Sequence, residues 1–188
     1  MPTTYALIDA SGNIVRKEEF DGEAPALAAA KGLRWVPAVP PAYDPATQRA
    51  PRAVLPVQGG AVSYTVDAIP IEELRAAKLA KLAAIRYARE TAGISVAGAQ
   101  IRTDRESQYT LAGALLAIQQ GLVPGPIDWK AASGWVQVSS AQLAAIAQAV
   151  ASHVQACFSR ERALAEQLAA AADIAAVNAI DLETGWPT

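Results

Sequence analysis

Along this chain of 188 residues, the rhythm of apolar and polar positions changes at Pro70. Before it the apolar runs are short and alternate with polar residues, the period-two signal of half-buried strands. Tyr5-Ala6-Leu7-Ile8-Asp9 and Ile14-Val15-Arg16 flank Ser11-Gly12-Asn13 and predict a hairpin. Residues 33–39, with Trp35 and Val36, supply a third strand, and 54–57 with 62–67 a second hairpin turning at Gly59-Gly60. Between these lies 37–52, with Pro40, Pro41 and Pro45. Proline lacks a backbone donor and breaks helices and central strands, so this stretch reads as an extended surface loop.

After Pro70 the period becomes helical. Pro70 suits a first helical turn, Glu72 and Glu73 favour the positive end of the dipole, and Ile71, Leu74, Leu82 and Ile85 share one stripe that stops at Gly93. A hairpin follows, Ile94-Ser95-Val96 with Gln100-Ile101-Arg102. Thr103-Asp104-Arg105-Glu106 reads as a capping box, Thr103 capping and Glu106 reaching back, for a helix through Leu111, Leu115 and Ile118 to Gly121. Ile127-Asp128-Trp129-Lys130 and Trp135-Val136-Gln137-Val138 form the last hairpin around Ala131-Ala132-Ser133-Gly134. Trp129 and Trp135 are expected to face each other there, in the core. Ser139 with Gln142 opens the longest helix, and a short one starts near Asp173 and ends before Gly185-Trp186-Pro187.

The long helix carries Leu143, Val150, Cys157 and Leu164 at intervals of seven. That spacing suits an amphipathic helix packed on its own hairpins and leaves open self-association through part of helix 140–171. Glu161 on the seam argues against an uninterrupted coiled coil. The expected fold is α+β in three parts: a small β-rich, Pro-rich N-terminal attachment module (1–69), a connecting helix (70–92) and a compact C-terminal domain of β-hairpins packed on helices (93–188). The first part is loop-rich for its size, and a partner surface would complete it.

Composition narrows the function classes. Of the residues 52% are apolar, but 44 are alanines, which bury little. With 16 basic and 18 acidic side chains the chain lacks the basic surface that phosphate binding needs, so nucleic acid is not an expected partner. Met1-Pro2-Thr3-Thr4 lacks the basic start and apolar run of a signal peptide, and no stretch approaches the roughly 18 uninterrupted apolar residues of a membrane span. The chain is expected to fold in a cytoplasm and to need no membrane.

Candidate chemistry is sparse. His153 and Cys157 are four apart and share a helix face, the geometry of an imidazole–thiolate pair or half a zinc site. A nucleophile also needs an oxyanion hole and an orienting group, and zinc needs two further ligands, with no second Cys or His in the chain. The residues therefore read as a small buried hydrophobe and a flanking polar group. Glu72-Glu73 and Asp104/Glu106 lie at helix starts, where carboxylates serve the dipole. No phosphate-loop, dinucleotide, nucleophile-elbow or zinc-protease pattern occurs, so no catalytic residue, cofactor or metal site is expected. Trp35, Tyr43 and Trp186 sit beside Pro-rich or terminal segments, and are open between local packing and contact with a protein partner.

Several blocks carry a resemblance. They are Gly93-Ile94-Ser95-Val96 with Ile101-Arg102-Thr103-Asp104-Arg105-Glu106-Ser107-Gln108, the Trp129-Lys130 to Trp135-Val136 hairpin, His153-Val154-Gln155-Ala156-Cys157-Phe158 with Glu161, and Ile180-Asp181 with Gly185-Trp186-Pro187. Together they resemble a domain of unknown function, the 4376 family, found in small proteins encoded next to phage tail-fibre genes. Tyr5-Ala6-Leu7-Ile8-Asp9, Phe20-Asp21-Gly22 and Tyr43-Asp44-Pro45 are similar to the start of phage tail-fibre accessory proteins. The resemblance implies a non-enzymatic bacteriophage tail protein, structural or adaptor, in the tail-fibre or baseplate apparatus of the virion. Its partners would be tail-fibre or baseplate proteins. The alternative is a tail-fibre assembly chaperone.

Overall fold

The chain divides at Pro70 into two units, Met1–Pro70 and Ile71–Thr188. The computed structural model describes residues 2–25, 32–131 and 134–187. Helices and small antiparallel sheets mix in an α+β fold of hairpins packed on helices.

In the first unit β1 (Thr3–Ile8) is the central strand of an antiparallel sheet, between β2 (Ile14–Phe20) and β3 (Arg34–Pro37). The β1–β2 turn is built by Asp9, whose carboxylate accepts from the backbone N–H of Ser11 and of Asn13, each at 2.9 Å. Those bonds hold its carboxyl below the ordinary value. Gly12 follows at φ +83°, and a Cβ there would stand 2.7 Å from the Val57 carbonyl oxygen, so only glycine fits.

A second hairpin forms, but its first strand is β4 (Arg52–Ala53), ahead of the expected 54–57 and reaching into the stretch read as loop, paired with β5 (Tyr64–Thr65). Val57 and Val62, expected to extend it, leave the ladder. Val57 N–H donates to Gly12 O at 2.7 Å and Val62 N–H to Pro37 O at 2.9 Å. Both side chains then bury with Ala6, Ile8, Val36 and Ala38.

The second unit contains α1 (Ile71–Glu90), β6 (Ile94–Val96), β7 (Ala99–Ile101), α2 (Arg105–Gln119), β8 (Ile127–Ala131), β9 (Gly134–Val138), α3 (Ser140–Ala170) and α4 (Ile174–Ala179). Two apolar clusters share α3. Toward its C-terminal half, Cys157, Leu164 and Leu168 pack with Leu82, Val177, Leu182 and Trp186. Toward its N-terminal half, Leu143 and Val150 pack with Ile94, Leu111 and Val138. All four residues of the seven-residue rhythm are thus spent inside the chain, and the seam that sequence left open for self-association is not a surface. Nor is α1 a free connector: Leu82 is 1% exposed, and Ile71, Leu74 and Ile85 pack beside it.

Helix ends explain how α1 is fixed. Neither α3 nor α4 has a basic residue in its last turn to face its dipole. Instead Arg75 donates to the carbonyls of Leu168 (3.2 Å) and Ala171 (2.6 Å), and Lys78 to those of Asn178 (3.0 Å) and Ile180 (2.8 Å). Two cations one turn apart on α1 therefore cap two other helices.

Local capping follows sequence at Ser139, whose hydroxyl accepts from Gln142 N–H while the Gln142 side chain returns to Ser139 N–H at 2.9 Å. It shifts by one residue at α2. The N-cap is Asp104, accepting from Ser107 N–H at 3.0 Å, and Thr103 is drawn elsewhere. The β8–β9 register also corrects an expectation. Trp129 opposes Val136 and Trp135 opposes Lys130, so the two indoles lie on opposite faces. Trp129 packs on the core, while Trp135 is 73% exposed with the Lys130 ammonium 5.9 Å from its ring centre. Ala132 and Ser133 of the expected turn lie outside the described residues.

Candidate functional site

The densest polar arrangement in the second unit centres on Glu90, the last residue of α1 and 1% exposed. A carboxylate at a helix C-terminus faces the negative end of the dipole, and burial removes its water, so it requires cations. Arg86, one turn earlier, bonds it directly. Arg105 at the start of α2 adds Nε at 3.2 Å and Nη2 at 3.5 Å. The Gln108 side-chain amide donates to Glu90 at 3.3 Å and to the Thr103 carbonyl at 2.6 Å.

Arg86 also reaches α3, donating from Nε to Glu161 at 3.1 Å, with its guanidinium 4.6 Å above the Phe158 ring. Two arginines and two glutamates so balance in charge. Thr103, fully buried, closes the arrangement: its hydroxyl donates to Glu90 O at 2.6 Å and accepts from Gly93 N–H at 2.9 Å. Gly93 has φ +88°, and a Cβ there would stand 3.0 Å from Ile101 O, so the chain turns from α1 into the β6–β7 hairpin only with glycine. The result is a polar knot tying α1, the hairpin, α2 and α3.

His153 and Cys157 border this knot. His153 Nε2 lies 3.1 Å from the Arg89 carbonyl oxygen and 3.8 Å from Cys157 Sγ. A carbonyl only accepts, so Nε2 carries the hydrogen and has no lone pair with which to take the thiol's proton. Burial pushes the Cys157 thiol up; the nearby Glu90 charge adds to this and Arg86 opposes it. Cys157 is therefore a neutral thiol in a core, the reverse of an activated nucleophile. Among the described residues no group of three or more His, Cys, Asp or Glu is placed to hold a metal ion, and no helix is long and apolar enough to cross a membrane. An open groove of about 510 Å³ between α1 and α3, lined by Leu79, Leu82, Phe158, Ser159, Arg162 and Ala165, carries no reactive constellation.

The three aromatics singled out by position fare differently. Trp186 is core, not surface: it is 8% exposed and its Nε1–H donates to Leu182 O at 2.8 Å. The C-terminal segment folds back because Asp181 accepts from Glu183 N–H and the Thr184 hydroxyl, both at 2.8 Å, and Arg160 holds Thr184 O at 3.0 Å. In the first unit, Trp35 is half-buried on β3, edge-on to Phe20 at 5.1 Å with the Arg16 guanidinium 5.5 Å from its ring. Tyr43 is exposed in the proline-rich loop.

Sequence reading passed over Glu90. The available signal was an acid in the last turn of a helix, against the dipole, with Arg86 four residues before it. Two of the blocks that carry the family resemblance contribute to the knot and its border: Thr103, Arg105 and Gln108 in one, His153, Cys157 and Glu161 in another, while Arg86 and Glu90 lie just before the first. No curated protein and no solved structure matches the chain. A family described as Domain of unknown function (DUF4376) matches residues 73–183, and this span includes α1 from its third residue, both hairpins, α2, α3 and α4. It takes in more than half of the chain, which therefore belongs to that family.

Proposed function

We propose that this chain is a non-enzymatic bacteriophage tail protein, a structural or adaptor component of the tail-fibre or baseplate apparatus that acts by binding other proteins. One observation carries the reading: the polar residues gathered around Glu90 are bonded to each other and to backbone, so their chemistry holds a scaffold. Thr103 and Gln108 satisfy backbone groups, Glu90 and Glu161 are neutralised, and the His153 N–H is committed to a carbonyl. The likeness of the opening segments to tail-fibre accessory proteins supplies the phage context. Trp35 with Arg16, and Tyr43 in the proline-rich loop, are the partner-facing candidates of the first unit.

Mass spectrometry of purified virions tests this, with the chain expected at a fixed stoichiometry to a tail protein. Its presence only in infected-cell lysate, with misfolded fibres on deletion, replaces the reading by the assembly-chaperone one. Turnover of a small molecule by the isolated chain, abolished in His153→Ala and Cys157→Ala variants that remain folded, overturns both.

A further inference from the structure

The β8–β9 hairpin turns Ile127, Trp129 and Val138 toward the core and Asp128, Lys130, Trp135 and Gln137 to the other side, where all four are exposed. An indole is the largest apolar group a chain can leave in water, and at 73% exposed Trp135 contributes little to its own fold. A solvated sheet face has no need of such a ring.

Size argues against a protein partner. Register sets the four side chains at the corners of a rectangle of about 5 by 7 Å, one strand spacing by two residues. A specific protein interface takes about 800 Å² a side, and its aromatic anchors sit among neighbouring contacts that exclude water. Here the ring is the only large apolar side chain on the outward face of the described strand residues. Charge argues against an ion. Asp128 and Lys130, two residues apart on one strand, bring one charge of each sign, so a phosphate or carboxylate drawn to the ammonium meets the carboxylate beside it.

Hydrogen-bonding capacity is left over. The Gln137 amide donates to Asp128 at 3.4 Å, which among the described residues leaves its other hydrogen, its oxygen and the second Asp128 oxygen to solvent. The Lys130 ammonium, 5.9 Å from the ring centre, is at the outer edge of a cation–π contact. A flat ring beside donors and acceptors of balanced charge suits one class of neutral molecule. One side of a pyranose presents C–H bonds, whose positive hydrogens match the negative face of an indole, and its rim carries hydroxyls that both donate and accept.

We propose that Trp135, with Asp128, Gln137 and Lys130, forms a carbohydrate-binding platform on the outer face of β8–β9 that takes one neutral hexopyranose unit of a glycan. The sugar stacks on the indole, adjacent hydroxyls bond to the Asp128 carboxylate and the Gln137 amide, and the Lys130 ammonium swings from the ring to a third. The site is shallow, so a single unit binds with a dissociation constant of about 1–50 mM. Such binding does not depend on which proteins the chain assembles with.

Indole N–H signals of the full chain, isotope-labelled at its four tryptophans, report on the site. The probes are the methyl glycosides of β-glucose, β-galactose and α-mannose, whose methyl group stands for the next unit of a glycan, and sorbitol, a polyol without a ring face. At least one glycoside should shift the Trp135 signal saturably, and sorbitol should not. Saturation transfer from the chain to the ring hydrogens of that glycoside should vanish in Trp135→Ala. Asp128→Ala and Gln137→Ala should each weaken binding about fivefold, with circular dichroism unchanged in all three variants because the positions are exposed. No saturable shift with any of the three glycosides up to about 100 mM would overturn the proposal. So would an equal response to sorbitol, or saturation transfer that survives Trp135→Ala. Loss of a protein partner in Trp135→Ala without any glycoside response would make the ring a protein contact instead.

Discussion

The two units solve the same problem with different materials. The first has short strands, a small core and little helix, and its loops are held by turn chemistry: Asp9 organises one turn, and Gly12 gives Val57 room to hydrogen-bond across. The second has long helices with two apolar clusters, and it buries a charge between them. A 70-residue unit has too little interior to hide an ion pair, so backbone geometry sets its shape. With a helix of 31 residues along both clusters, the second unit can enclose Glu90 and surround it with arginines. Where each is vulnerable follows from that difference.

The largest effect is expected at Glu90. Glu90→Ala leaves Arg86 with Glu161 alone and strips Arg105 of its carboxylate, and removing one partner of a buried charge network costs about 3–5 kcal/mol. Hydrogen exchange should show protection lost across 71–188 and retained in 2–25 and 34–69, and loss in both parts would end the separation drawn between the units. Gly12→Ala is the mirror test. Its φ of +83° and the 2.7 Å approach to the Val57 carbonyl predict a cost of about 1–3 kcal/mol, confined to the first unit.

Asp104→Ala should destabilise the second unit through the lost N-cap of α2, and the deficit should depend on pH. The Ser107 backbone N–H, then the Ser107 hydroxyl, hold the Asp104 carboxyl below its ordinary value of 3.8, and Arg102 adds to this. A folded-state value below the unfolded one stabilises above the unfolded value, and that contribution disappears as pH falls through the folded value. Denaturant melts should therefore find the gap between wild type and variant open at neutral pH and closing in acid below about pH 4. The smallest effect belongs to Trp135→Ala. The ring is mostly exposed, so the change should stay within about 0.5 kcal/mol, and a larger loss in thermal melts would mean that the outer face of β8–β9 is packed.

Much of this architecture is legible in the chain itself. Helix periods, the Ser139 box and the helix stop at Gly121 depend on neighbours within a few residues, and such signals survive into the fold. Strand register does not. Whether Trp135 meets Trp129 or Lys130 depends on the pairing register of β8 and β9, and one step of slip exchanges the faces. The N-cap of α2 moved from Thr103 to Asp104 because Thr103 is claimed by Glu90 O and Gly93 N–H, partners ten or more residues away. Trp186 shows the same limit. A terminal position says nothing of the core waiting for its ring, and only the Asp181 turn and Arg160 bring it there. Glu90 was hidden because Thr103, Arg105 and Gln108 reach it from 13 to 18 residues away, and its local clue was an acid at the wrong end of a helix.

The reach of Arg75 and Lys78 bears on how this domain can be transplanted. A graft cut at Gly93 would look natural, since a helix ends there and a hairpin begins. Such a fragment would leave behind the side chains that finish two of its own helices, together with half of the ionic cluster. A fragment meant to travel to another scaffold has to start upstream of residue 75, at the beginning of α1.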